Sequence, residues 1–165
     1  MIDLAMAQHN YPLVIVDVQA AFKIPPRKLA AIERYSRRFE RRIFTRFVIK
    51  PKSIFRQVLG WDSCAPGSGD LRLLIEPEKN DLVFDKQGYG LSEKQVRRLH
   101  DMKVRQVMVC GMDTDACVLA TMFSLIDGGI APRVAPSAYC HSNQNLDTEA
   151  RKIMASQFPK LHAEI

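Results

Sequence analysis

The chain has 165 residues, 47% apolar and 25% charged, which fits one globular domain over residues 1–165 with a substantial core. No apolar run approaches the ~20 residues of a membrane-spanning helix, so a helical membrane protein is excluded. Lys and Arg outnumber Asp and Glu by 24 to 18, a net charge of +6 that would suit an anionic substrate or partner.

From the N-terminus, "MIDLAMAQHN" carries Asp3 and no basic cluster, so it does not read as an export signal. With four cysteines (Cys64, Cys110, Cys117, Cys140) and no close pairing, reduced thiols in the cytoplasm are expected. "PLVIVDV" is a short β-branched run that predicts a buried strand. A helix is predicted from about Arg27 to Arg41. The basic excess is concentrated in "RKLAAIERYSRRFERRIFTRFVIKPK", within 27–56. Leu29, Ile32, Tyr35, Phe39 and Ile43 recur there at helical spacing, so the segment reads as a solvated helix face and a charged strand end. It shows no base-stacking motif or zinc-knuckle spacing, so nucleic-acid binding is not expected.

"RIFTRFVI" predicts a second strand. Lys50 to Pro77 is rich in Pro, Gly, Ser and Asp and holds Trp61; it reads as a long loop with a short helix near "SIFRQVL". "DLVFDK" predicts a third strand, and Ser92 caps the helix "EKQVRRLHDM". "RQVMVCG" predicts a fourth strand, and "DACVLATMFSLIDGG" an apolar helix stopped by Gly128 and Gly129. "PRVAPSA" predicts a fifth strand, a helix follows from about Leu146 to Phe158, and "KLHAEI" could add an edge strand. This alternation predicts an α/β fold with a parallel sheet covered on both faces.

In such a sheet ligands bind outside the carboxyl ends of the strands. Asp17 closes the first strand, Lys86 the third, and Gly111 at the end of the fourth leads to Thr114 and Cys117. A carboxylate, an ammonium and a thiol therefore fall on one rim. With Thr114 as N-cap, Cys117 stands at the third helical position, where free N–H groups and Lys86 would lower its pKa. Asp17 could exchange its proton, and amides at the helix start could hold an oxyanion. Each residue alone has a plainer reading: a small buried hydrophobe, a strand-end turn former and a solvated edge lysine.

At these residues the chain resembles the isochorismatase-like cysteine hydrolase superfamily, which includes isochorismatases, nicotinamidases and N-carbamoyl amide hydrolases. The resemblance is carried by "VIVDVQAAF", "TRFVIKPKSIF", "LVFDKQGYG" and "VCGMDTDACVLATMFSLIDGG". It implies a Rossmann-like three-layer α/β/α fold with about six parallel strands, and a catalytic triad of Asp17, Lys86 and Cys117. It also implies a cis Met112–Asp113 bond and an oxyanion hole from the backbone N–H groups of Asp113 and Cys117. The implied reaction on a small amide-type C–N bond passes through a Cys117 thioester. The alternatives are cleavage of a vinyl ether, as in isochorismatases, or a silent relative that acts as a binding protein.

Phe22, Trp61 and Tyr89 are candidate walls of the substrate pocket, with Gln19 beside them; core packing is the alternative for the rings. His141, Ser142 and Asn143 follow the fifth strand and read as loop polarity. Cys64, Cys110 and Cys140 read as spectators. The family's nicotinamidases carry a metal site with two histidines after the second strand, whereas "GWDSCAPGSGD" has none. His9, His100, His141 and His162 suit no metal spacing, so neither a metal nor another cofactor is expected. The family is usually oligomeric, so a homo-oligomer is expected, in which a partner subunit could complete the pocket around a small-molecule substrate.

Overall fold

A computed structural model describes residues 10–140 and 144–159. Five strands form one parallel sheet: β1 (Leu13–Val16), β2 (Arg42–Phe47), β3 (Leu82–Lys86), β4 (Gln106–Met112) and β5 (Ala131–Cys140). Their order is β3-β2-β1-β4-β5, so the chain winds outward from β1 in one direction and then restarts at β4 on its other side. Five described strands stand where about six were expected; the segment predicted as a further edge, Lys160–Ile165, lies outside the described residues.

The central strands are apolar on both faces because both are covered, as parallel sheets require. On one face, Leu13, Ile15, Phe44, Met108 and Cys110 pack against Ile32 of α1 (Pro26–Ser36) and against Phe39. The helix ends before the predicted Arg41; Phe39 keeps its core contact from the turn that follows. On the other face, Val14, Val16, Ile43, Val107 and Val109 meet Val96 and Leu99 of α3 (Glu93–Asp101). The same core takes Met122 and Leu125 of α4 (Leu119–Asp127), and Met154 of α5 (Gln144–Gln157). Ser92 caps α3 as predicted, and Gln95 completes a capping box by returning to the Ser92 N–H.

The long loop holds α2 (Ile54–Leu59), a six-residue helix with no buried residue. Beyond it the chain folds back on the exit of β1, where the Leu74 N–H donates to the Val18 carbonyl and the Ala20 N–H to Arg72. Among the guanidiniums of the basic segment, Arg37 pairs with Glu33, Arg42 with Asp81 and Glu78, Arg46 with Asp85, and Arg56 with Asp62. Much of the local charge is thus answered within the fold.

Candidate active site

The switch in strand order falls between β1 and β4, so the crevice at their carboxyl ends is where a ligand site forms in a sheet of this kind. Asp17 is the residue after β1, and its left-handed backbone (φ 49°) turns the chain out of the sheet. Aspartate is among the few side chains that adopt this conformation readily. Because β1 leaves early, the end of β2 needs another partner for its backbone. Gln19 supplies it: the Phe47 N–H donates to Gln19 Oε1 at 2.6 Å, and Gln19 Nε2 donates to the Phe47 carbonyl at 3.2 Å. Gln19 is fully buried in this role, so both ends of its amide serve the sheet and not a pocket wall.

Lys86 ends β3, two strands away from β1, a span of about 10 Å at ordinary strand spacing. In register its neighbour is Phe47, and the lysine crosses that ring with Nζ 4.7 Å from the centroid. Beyond the ring it meets Asp17 Oδ2 at 2.6 Å, with both side chains essentially buried. Nζ also donates to the carbonyls of Gly88 (3.0 Å) and Tyr89 (2.9 Å), so three oxygens hold the ammonium. From β2, Thr45 Oγ1 donates to Asp17 Oδ1 at 2.7 Å and accepts the Asp17 N–H at 3.1 Å.

Cys117 arrives from β4. Gly111 lies opposite Val16 with φ 120°, and a Cβ there would be driven into the Val16 backbone. Only glycine lets β4 run this close to β1 at the crevice. The Met112–Asp113 peptide bond is cis, at the position expected. A π turn, Thr114–Val118, then precedes α4, and the Asp113 carbonyl accepts N–H groups from Ala116 and Val118. Single π turns of this kind are frequent at functional sites. The predicted cap is therefore displaced: Asp113 occupies the cap position, while the Thr114 hydroxyl donates to Asp147 of α5 at 2.6 Å.

The Cys117 side chain is buried in hydrogen-bonding contact with Asp17 and Lys86. Burial pushes its thiol well above the ordinary range, the Asp17 carboxylate adds to this, and Lys86 pulls the other way. A helix start and Lys86 were expected to lower the thiol; Lys86 does favour the anion, but desolvation and Asp17 outweigh it, and the net shift is upward.

The three predicted groups converge at the crevice. Phe22 and Trp61 lie beside one another with ring centroids 5.9 Å apart, and Trp61 is partly exposed. Tyr89 contacts Phe55 at 5.1 Å and stacks near Phe47 at 6.5 Å. Cys64 is closer to the chemistry than its spectator reading implied. It is buried beside Phe47 and Ile49, accepts from the Trp61 indole, and feels the charges of Asp17 and Lys86; burial pushes its thiol up to about 11. Cys110 is a core residue on the other face. His141, Ser142 and Asn143 lie outside the described residues. Thr45 and Phe47 are the site residues that sequence reasoning missed. Their signal was a hydroxyl inside a buried strand and an aromatic two positions on, hence on the same face.

A family model for the isochorismatase domain matches residues 12–162. The chain belongs to the isochorismatase family. It is a hydrolase of that family, and its sheet is the family's. Among solved structures, a Pyrococcus horikoshii pyrazinamidase in complex with zinc is similar at TM-score 0.83 and 18% identity, covering 95% of this chain and 99% of that one. A pyrazinamidase/nicotinamidase from Streptococcus mutans UA159 is similar at TM-score 0.79 and 20% identity, over 93% and 99%. An isochorismatase-like hydrolase from Alkaliphilus metalliredigens reaches TM-score 0.83 at 9% identity, over 94% and 95%. No curated protein is a significant match by sequence.

Zinc is bound by the first of these proteins, which makes the donor set here worth testing. Among the described residues, no three His, Cys, Asp or Glu side chains gather into a group able to hold a metal ion. The end of β2 next to the triad instead packs Phe47, Ile49 and Cys64 with Phe22, Phe55 and Leu71. Cys64 is the one metal donor in that cluster, and a single thiol among rings and aliphatic side chains does not fit a metal centre.

Proposed function

We propose that this member of the isochorismatase family is a cysteine hydrolase that cleaves a small amide-type C–N bond. One observation carries the reading: a carboxylate, an ammonium and a thiol from three strand ends share one buried contact at the switch point of the sheet. Cys117 Sγ attacks the carbonyl carbon and its proton passes to Asp17 as the C–S bond forms. Asp17 returns that proton to the departing nitrogen, the C–N bond breaks, and a thioester remains. Water then gives a proton to Asp17 and attacks the thioester; the C–S bond breaks, and Cys117 recovers its proton as the acid leaves.

Lys86 anchors Asp17 and favours negative charge on sulfur during attack. The backbone N–H groups of Asp113 and Cys117 would receive the oxyanion. Phe22, Trp61 and Tyr89 would wall the substrate, with Gln19 left to the sheet. The test is a panel of small primary amides and carbamoyl compounds, pyrazinamide and nicotinamide included, read by ammonia release. Turnover of one of them should fall at least about 1000-fold in Cys117→Ser. Activity confined to vinyl ethers, or amide turnover that survives this substitution, would sink the reading.

A further inference from the structure

Thr45 has no role at the sulfur in the mechanism above, yet it is tied twice to the proposed acid/base. It is fully buried on β2, and its single hydroxyl makes two bonds to the same partner. It accepts the Asp17 backbone N–H and donates to Asp17 Oδ1. The backbone of Asp17 is in the left-handed conformation, which turns it out of the sheet toward β2 and β3. With Oδ1 on Thr45 and Oδ2 on Lys86, the carboxylate is held at both oxygens. Its plane is therefore set by two different strands, β2 and β3.

We propose that Thr45 is a positioning residue for Asp17, fixing the carboxylate so that its proton transfers meet the Cys117 sulfur and the attacking water. The claim rests on the hydrolase reading and adds to it a residue that acts through Asp17 alone. A side chain that only filled space would be replaced without loss by valine, which has nearly the shape of threonine. A hydroxyl that orients the acid/base would not be, because both of its bonds vanish together.

The probe is p-nitrophenyl acetate. Its leaving group departs as p-nitrophenolate without help from an acid, so the first turnover reports attack by sulfur. Later turnovers report release of acetate by water that Asp17 must deprotonate. In Thr45→Val the steady-state kcat should fall tenfold or more, while Thr45→Ser stays within about threefold of the parent. Adding Thr45→Val to Asp17→Asn should cost nothing further, since a positioning residue has nothing left to position. Equal steady-state rates in Thr45→Val and the parent, or full additivity with Asp17→Asn, would overturn the inference. Should Thr45→Val fail to fold, Thr45→Ala, which likewise removes the hydroxyl, carries the same test. A burst that persists in Cys117→Ser would overturn the hydrolase reading itself.

Discussion

Cys117 lies between two opposite charges, and each can be removed separately. Asp17 pushes the thiol up and Lys86 pulls it down, so the two variants should move its titration in opposite directions. Site-resolved iodoacetamide labelling of Cys117 against pH reads this directly. In the parent protein, labelling should rise only above the ~8.5 of an ordinary thiol. Asp17→Asn should shift the curve to lower pH and Lys86→Met to higher pH, although both should lose hydrolysis. Shifts in the same direction would remove the ion pair from the account. The same thiol gives a stability signature. Unfolded cysteine ionises near pH ~8.5 and folded Cys117 at higher pH, so its contribution is whole below ~8.5 and is lost as the pH rises. Urea midpoints should fall more steeply above that pH in the parent than in Cys117→Ser.

At the scale of elements, the site depends on where strands stop and how closely they run. β1 must end at Val16 for Asp17 to turn out, and Gln19 must then stand in for the missing strand beside Phe47. β4 must touch β1 at Gly111 to bring the π turn to the crevice. Gly111→Ala would force a Cβ into the Val16 backbone at a φ that L-residues rarely adopt. A loss of about 3 kcal/mol or more is expected in urea unfolding, from overpacking and strain together. A variant as stable as the parent would mean that the two strands can separate here without cost. Lys86 shows the complementary device, a long side chain that spans a neighbouring strand by lying over the Phe47 ring.

Across the whole molecule, much was legible in the sequence because parallel strands covered on both faces are continuous apolar runs. All five described strands overlap their predicted runs, β1 and β4 for that reason, and the strand ends placed Asp17, Lys86 and Cys117 on one rim. Less legible were features decided by contacts across the sheet. Gln19 reads from sequence as a polar rim residue, and only the early exit of β1 commits its amide to Phe47. Thr114 looks like an N-cap, but α5 claims its hydroxyl. Nothing local to Cys117 reveals that burial and a carboxylate outweigh a helix start and a lysine, because that balance depends on how deeply three separate segments pack together.

The central claim is that Cys117 becomes covalently acylated with Asp17 and Lys86 in attendance. The most direct measurement is acid quenching during turnover of p-nitrophenyl acetate, followed by peptide mass spectrometry to locate the acetyl group. The account predicts acetyl on Cys117, with Cys64 and Cys110 unmodified; in Asp17→Asn, where the base for both attack and hydrolysis is missing, acetyl should form on Cys117 more slowly and persist once formed. Turnover with the acetyl group on another residue, or with no acyl-enzyme in either protein and undiminished rate in Cys117→Ser, would contradict it.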